Sequence, residues 1–286
     1  DCDNGNPEFD PAAYVATTPF LSTDSILWAY RESLPVPLTR TAGVVDPDGL
    51  IRVVCGNTML NDTSYPFQQV FDPAANTVVV DWYLRQPGGG VHNHDVEVMG
   101  DTIYVGWGSY KTGYYNNLTR IILSADTWEV VGAAPVANLL YYELAVCNGK
   151  LYLFGGAPSG GTAVNAARVY DPQTNAWTSL ANIPVAVRDP AACTVEDTIY
   201  LFGGFTSGTT GIQKCYAYNT VANTWRTLAN LPHRRGWATA HAVMHPDSGA
   251  FIYVCGGEST SVVRNYVDRY SVATNTWTTE MPLLRQ

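Results

Sequence analysis

The chain has 286 residues, of which 46% are hydrophobic and 14% are charged, and its formal net charge is −9. This composition predicts a globular protein with a sizeable core. The acidic balance argues against nucleic acid or an anionic membrane as the main partner. No run of about twenty apolar residues is present, so no transmembrane helix is predicted.

The N-terminal segment begins at Asp1 rather than methionine, which suggests that a leader or an upstream region is missing from this sequence. Its first ten residues, DCDNGNPEFD, alternate acidic and amide side chains around a glycine. An EF-hand calcium loop is not predicted, because no glutamate stands at the twelfth position. We expect residues 1–13 to form a flexible arm and residues 14–286 to form the folded domain.

The cysteines and the glycosylation sequons bear on the compartment. Six cysteines occur without a CxxC pair, so a zinc knuckle is not predicted. Most of them lie in apolar, strand-like runs, which is typical of buried free thiols. Sequons begin at Asn61 and Asn117, both in polar stretches between predicted strands. They favour a secreted or extracellular protein.

A repeat of about fifty residues organises the chain. Each unit contains a proline, a strand that ends in glycine, an aromatic residue followed by turn residues, and a closing tryptophan. The repeat is clearest in the hexapeptides LYLFGG (151–156), IYLFGG (199–204) and IYVCGG (252–257). Five complete units are predicted, at 34–87, 88–134, 135–183, 184–231 and 232–281.

Each unit predicts short strands and no helix, because runs rich in Val, Ile, Tyr and Thr are separated by Gly, Asn and Asp. Four short strands cannot bury both faces of their sheet alone, whereas sheets arranged radially around an axis cover one another. The tryptophans are expected to fill the wedge between adjacent sheets. The glycines are expected where a side chain would block a turn or a neighbouring sheet.

These motifs resemble the kelch repeat, in which a glycine doublet is followed by a spaced tyrosine and a spaced tryptophan. The last three units match fully, and the resemblance covers about residues 34–286. It implies an all-β, kelch-type β-propeller. The unit at 34–87 departs from the pattern, with Gly56 alone, Phe71 for tyrosine and Trp82 displaced by four residues. In the unit at 88–134, Trp107 replaces the first glycine. Both blades are nevertheless expected to form.

Six blades are expected, the sixth being partial. FLSTDSILW at 20–28 parallels ILSADTW at 122–128, so residues 14–33 are expected to supply the outer strands of the sixth blade. Residues 282–286 start a new unit and complete the part of this blade that the sequence contains. Three explanations for the missing inner strands remain open. The chain is a piece of a longer protein, residues 1–14 fold back into the gap, or a neighbouring subunit or domain donates a strand, which would permit self-association.

Arginines near the start of several units suggest a binding face around the propeller axis, and the equivalent positions in the second and third units fall near His92 and Tyr141. Guanidinium groups converging there would form a receptor for carboxylates, and the kelch resemblance implies that acidic peptides or sugars dock at this opening. The alternative is that these arginines pair with carboxylates of the next blade. The candidate ligand-binding residues are Arg40, His92, Tyr141, Arg188, Arg235 and Arg285.

Catalytic signals are weak. His92 and His94 lie two residues apart and would share one strand face, where they could hold a metal ion. The resemblance also extends to copper radical oxidases and to six-bladed sugar mutarotases, and for the latter Glu143 and His92 are the candidate acid and base. The favoured interpretation is a non-catalytic extracellular module without a cofactor that binds a protein or a glycan.

Overall fold

The computed structural model describes residues 31, 33–58, 63–81, 85–280 and 282–283 of the chain. Within these ranges all regular secondary structure is β-strand, and no helix able to span a membrane is found there. The strands form five four-stranded antiparallel sheets, each made by consecutive parts of the chain. The predicted all-β propeller is therefore confirmed, with five blades in the described residues.

The blades are numbered in chain order and their strands have the following bounds. Blade 1 consists of β1 (Ala42–Val45), β2 (Ile51–Val54), β3 (Gln68–Asp72) and β4 (Thr77–Asp81). Blade 2 consists of β5 (Val96–Met99), β6 (Thr102–Val105), β9 (Asn117–Ile122) and β10 (Thr127–Ala133). Blade 3 consists of β11 (Leu139–Cys147), β12 (Lys150–Pro158), β13 (Ala167–Asp171) and β14 (Ala176–Ser179). Blade 4 consists of β15 (Ala191–Val195), β16 (Thr198–Phe202), β17 (Cys215–Asn219) and β18 (Thr224–Thr227). Blade 5 consists of β19 (Thr239–His245), β20 (Gly249–Cys255), β23 (Val267–Ser271) and β24 (Thr276–Thr279).

Two short hairpins lie outside the blades, in the connections between the second and third strands of blades 2 and 5. They pair β7 (Gly108–Tyr110) with β8 (Gly113–Tyr115) and β21 (Glu258–Ser259) with β22 (Val262–Val263). Because the strands of a blade run antiparallel, these connections and the links from each blade to the next lie on one face of the propeller. We call it the top face, and the opposite side the bottom face.

The first strand of each blade is the innermost. Neighbouring first strands contact one another in the order β1, β5, β11, β15, β19, so they surround a common axis. The apolar clusters lie between successive blades rather than within one; Tyr152 and Phe154 of blade 3, for example, pack with Tyr216 and Tyr218 of blade 4. This arrangement meets the requirement that each sheet cover its neighbour.

The closing tryptophans pack between blades, as the sequence predicts. Each indole meets an aromatic ring of the preceding blade nearly edge to face: Trp177 on Trp107 at 5.9 Å, Trp225 on Phe154 at 5.6 Å and Trp277 on Phe202 at 5.5 Å between ring centroids. The indole N–H groups of Trp225 and Trp277 donate to the carbonyls of Ala181 and Ala229 in the links from the preceding blades. The indoles therefore provide both apolar area and hydrogen bonds between blades.

The glycine doublets lie where the next blade's link passes close by. Gly155 and Gly203 have φ of 64° and 63°, and a Cβ on either would collide with a carbonyl, that of Val187 or that of Arg235. Each second glycine donates its N–H to the same carbonyl. In blade 2, Trp107 replaces the first glycine of the doublet without disrupting the sheet, because its buried ring stacks on Tyr142 at 4.7 Å.

The expected sixth blade and the N-terminal arm lie almost entirely outside the described residues. Leu283 nonetheless begins a new link in the same way as earlier units, since its N–H donates to Asn265 O as Leu231 N–H donates to Gln213 O. All five described cysteines are free, and three of them are buried.

Candidate functional site

Five residues surround the axis at the top face, each at or within three residues of the start of its blade's first strand. They share a left-handed backbone with φ between 50° and 60°: Arg40, Asn93, Tyr141, Asp189 and Trp237. Their backbones connect consecutive blades, because Asn93 N–H donates to Arg40 O at 3.2 Å, Asp189 N–H to Tyr141 O at 2.7 Å and Trp237 N–H to Asp189 O at 3.2 Å. This axial ring forms the opening of the propeller.

The predicted equivalence of the candidate residues is wrong by one or two positions. Arg40 and Tyr141 belong to the axial ring, whereas His92 and Arg188 precede it by one residue and pair with Ser109 and Phe205 in isolated bridges. Arg235 lies two residues before Trp237, the axial-ring residue of its blade. Arg285 and Asn61 lie outside the described residues. The prolines that guided the alignment lie in irregular links whose lengths differ, so they do not fix the register.

Arg235 is a buried structural residue rather than part of an open receptor. Its side chain is 0% exposed and Nη1 lies 2.7 Å from Oδ2 of Asp268, which is equally buried. Nη2 donates to the carbonyl of Val254. Thr279 and His233 also contact Asp268. The guanidinium is therefore committed to the interior of blade 5, and a ligand on the top face has no exposed surface of it to contact.

Arg188 lies at the opening but is already engaged. Its Nη1 lies 2.7 Å from Oδ2 of Asp189, and Nη2 donates to the carbonyl of Gly208. The guanidinium also lies over two rings, 5.4 Å from the centroid of Tyr141 and 5.0 Å from that of Phe205. The guanidinium of Arg188 therefore makes cation–π contacts with both aromatic rings. Its ion pair with Asp189 supports the alternative that the arginines pair with carboxylates, although Asp189 belongs to the same blade rather than to the next one.

Trp237 completes this surface. Its ring contacts Phe205 edge to face at 5.0 Å and remains 47% exposed. We call the group formed by Tyr141, Arg188, Phe205 and Trp237 the aromatic mouth. Phe205 and Trp237 are not among the residues predicted from the sequence, although an aromatic directly after the glycine doublet in IYLFGGF and a tryptophan after LPHRRG were visible signals.

Below the mouth, acidic side chains lie on or directly before the first strands of blades 2 and 3. Asp95 and Glu143 occupy equivalent positions in blades 2 and 3, and each accepts a backbone N–H of the next blade at 2.7 Å, from Leu144 and Ala192 respectively. Burial raises the pKa of Asp95 to about 6, and burial together with the neighbouring carboxylates raises the pKa of Glu97 and Glu143 well above the ordinary range. These carboxyls connect blades around the axis.

The two histidines that were considered as metal ligands have different partners. His92 Nδ1 lies 2.9 Å from Ser64 Oγ, whereas His94 Nε2 lies 3.0 Å from the carbonyl of Val54. Burial lowers the pKa of His94 to about 4. Across the described ranges, no group of three or more His, Cys, Asp or Glu side chains is arranged to hold a metal ion.

Asn117 is the one predicted glycosylation site within the described residues. It is partly buried at the first position of β9, and its side chain hydrogen-bonds to Tyr115. Thr119 of the same sequon is fully buried and its hydroxyl donates to Val105 O.

Comparison with known proteins agrees with this fold. A solved structure of YjhT superposes with a TM-score of 0.75 over 91% of this chain and 89% of that one, at 15% identity. Human Kelch-like protein 23 is 30% identical over 136 residues, which are 46% of this chain and 23% of the relative. N-acetylneuraminate epimerase of Pasteurella multocida is 33% identical over 87 residues, 29% of this chain and 22% of the relative.

The Kelch-like protein terF of Aspergillus terreus is 29% identical over 117 residues, 37% of this chain and 25% of the relative. The chain thus spans a quarter or less of the length of these curated relatives. The model of the KLHDC2/KLHL20/DRC7 Kelch-repeats domain matches residues 85–282, which is more than half of the chain. Together with the five blades and their indole wedges, this match shows that the chain belongs to the kelch-repeat family.

Proposed function

We propose that the chain is a protein-binding propeller that docks a segment of a partner protein on the aromatic mouth. Membership of the kelch family supports a protein-binding module. The mouth combines Trp, Tyr, Arg and Phe side chains on rigid links, and Trp, Tyr and Arg are the residue types that dominate binding energy at protein interfaces.

The exposure of Trp237 is the observation that carries this proposal. A large indole is held 47% exposed on a left-handed backbone with φ of 52°. The exposure opposes folding stability, because an exposed indole gains little free energy from burial. The left-handed backbone opposes it too, because a residue other than glycine is strained at a positive φ. The ring of Phe205 packs against the indole, and the hydrogen bond from the Trp237 backbone N–H to Asp189 O holds the backbone. A preformed, unburied aromatic anchor is what a docking partner requires.

Replacement of Trp237 by alanine is expected to weaken partner binding by about thirtyfold, which corresponds to the roughly 2 kcal/mol of a hot-spot residue. The measurement is a peptide-library selection on the wild-type chain, followed by titration of the enriched peptides against wild type and Trp237→Ala. Val221→Ala is the matched control, since Val221 is 76% exposed on the bottom face. Enriched peptides that bind wild type and Trp237→Ala equally well would contradict the proposal.

The extracellular location, a glycan as ligand and self-association through an incomplete blade are further parts of the proposal. The sequon at Asn61 supports the location, whereas the burial of Thr119 in the sequon of Asn117 opposes a glycan there. If the chain is expressed in a secreting host, a mass decrease on enzymatic deglycosylation of the secreted protein would support an extracellular location further. A chain that stays inside the host cells and carries no glycan would oppose that location. A monomer that persists on dilution and concentration opposes strand sharing between copies.

A sugar-active enzyme is the second candidate. It rests on the 87-residue similarity to N-acetylneuraminate epimerase and on the buried acid Glu143. His92, the partner acid or base expected from the sequence, is buried and hydrogen-bonded to Ser64. NMR exchange between the anomers of N-acetylneuraminate tests this candidate. Acceleration by the wild type that Glu143→Gln abolishes favours the enzyme, and no acceleration removes it.

A further inference from the structure

A second surface on the top face lies away from the axis, in the groove between blades 4 and 5. We propose that this groove is a binding site for the carboxylate of an organic ligand. Its volume is about 340 Å³ and its lining is polar and basic, formed by Gln213, Pro232, His233, Arg234, Ser259, Thr260, Arg264 and Tyr266.

The groove concentrates positive charge on an acidic protein. The chain has only 16 lysines and arginines against 25 acidic residues, yet two arginines and no carboxylate line this groove. Arg234 is exposed, and no described residue pairs with it. Among the described residues, the guanidinium of Arg264 makes one long hydrogen bond, 3.4 Å from Nη2 to Ser259 O. Each guanidinium has five N–H donors, so both retain donors for a ligand.

The walls of the groove are held rigidly. The ring of His233 stacks on Tyr266 with centroids 4.0 Å apart and planes 18° apart, while Nδ1 lies 3.1 Å from Oδ2 of Asp268. Because Nδ1 is engaged, the free edge of the imidazole is Nε2. Arg235 neutralises Asp268 inside blade 5, so this buried carboxylate does not cancel the charge of the two groove arginines.

The hairpin of β21 and β22 forms the other wall and is fastened to blade 4. Thr260 N–H donates to Thr209 O at 2.7 Å, and Gly211 N–H donates to the buried hydroxyl of Ser259 at 3.2 Å. Arg264 follows this hairpin directly. Two guanidinium groups lining one groove suit a planar carboxylate, which accepts parallel N–H donors from an arginine fork. The groove shares no residue with the aromatic mouth.

The test is calorimetric titration with two carboxylate probes and their neutral counterparts. The probes are glucuronate against glucose, and a capped peptide alternating glutamate and glycine against its glutamine equivalent. Binding of at least one carboxylate probe and of neither neutral counterpart is expected. Binding of glucuronate alone identifies a sugar acid as the source of the carboxylate, and binding of the peptide alone identifies an acidic protein segment.

Substitutions locate the site. Arg234→Gln and Arg264→Gln are each expected to weaken binding about tenfold, as for loss of a charged hydrogen bond. Arg226→Gln on the exposed face of β18 removes the same charge outside the groove and is expected to leave affinity unchanged. Trp237→Ala should also leave it unchanged, which separates this site from the mouth. Failure of both carboxylate probes, an equal loss with Arg226→Gln, or loss with Trp237→Ala would overturn the proposal. If Arg264→Gln does not fold, the exposed Arg234→Gln still decides.

Discussion

Replacement of Arg235 by methionine is expected to lower the free energy of unfolding by about 3–5 kcal/mol, as for breaking one partner of a buried ion pair. The side chains of Arg235 and Asp268 are both 0% exposed and are joined at 2.7 Å. Without the guanidinium, the fully buried carboxylate of Asp268 keeps Thr279 and His233 as its side-chain partners among the described residues. The carbonyl of Val254 also loses a donor.

The neighbouring residue provides a matched control. Arg234→Met removes the same charge one position earlier from an exposed side chain and is expected to change stability by no more than about 0.5 kcal/mol. Urea unfolding of wild type, Arg235→Met and Arg234→Met gives both values. A loss below about 1 kcal/mol for Arg235→Met would show that Arg235 is not a structural residue of blade 5.

Stability is expected to fall as the pH rises from about 6.5 to about 8, because carboxyls at the axis are protonated more readily in the folded chain than in the unfolded chain. Below about pH 6.5 His94 opposes this trend, because burial lowers its pKa to about 4 and its contribution to stability rises with pH. The pKa of Asp95 rises from an ordinary 3.8 to about 6, and burial raises the pKa of Asp189 to about 7 although Arg188 offsets part of the effect. Glu97 and Glu143 are also shifted upwards. Cys193 lies near Glu97 and Glu143, and burial raises the pKa of its thiol. Partial desolvation lowers the pKa of His241 on β19, which opposes the trend.

The sign follows from linkage. A carboxyl whose folded pKa exceeds its unfolded value stabilises the fold fully below the unfolded pKa, and this contribution is lost as the pH rises through the folded pKa. For Asp95 that window runs from about 4 to about 6, and a shift of this size corresponds to about 3 kcal/mol. Glu97 and Glu143 extend the loss to higher pH.

Glu143→Gln is expected to reduce this pH dependence and to make the chain more stable than wild type at pH 8. The amide oxygen retains an acceptor for Ala192 N–H but cannot ionise. Glu129→Gln removes an exposed carboxyl on β10 and should leave the pH dependence of the free energy of unfolding unchanged. Parallel curves for wild type and Glu143→Gln between pH 5 and pH 8 would refute the assignment of this effect to the axis.

The blade architecture was predictable because each repeat of the sequence motif corresponds to one blade. The glycine doublets, the tyrosines and the tryptophans recur at one spacing, and the structure assigns each a local cause. The hydroxyls of Tyr170, Tyr218 and Tyr270 donate to asparagines five residues later, at 2.8 Å in each case, which accounts for the aromatic and asparagine pattern in every matched unit. The substitution of Trp107 for glycine was tolerated for a reason that only the packing against Tyr142 and Trp177 shows.

The candidate site was less predictable because it depends on register. A shift of one residue moves a side chain to another face, and LPHRR offers two adjacent arginines of which one is buried and the other exposed. Nothing in the local pattern distinguishes Arg235 from Arg234, since the partner Asp268 lies 33 residues away. Asp95 and Glu97 were equally hidden, because their spacing is that of the polar side of an ordinary half-buried strand, whereas Glu143 was a candidate acid from the sequence.

The most direct test of the central claim, that the top face is the docking surface, is hydrogen exchange of the chain with and without a peptide selected on it. Slower exchange is expected in the top-face segments 203–212, 236–238 and 258–263, and no change is expected in the bottom-face turns 172–175, 220–223 and 272–275. Protection of the bottom-face turns with none around Trp237 would contradict the account.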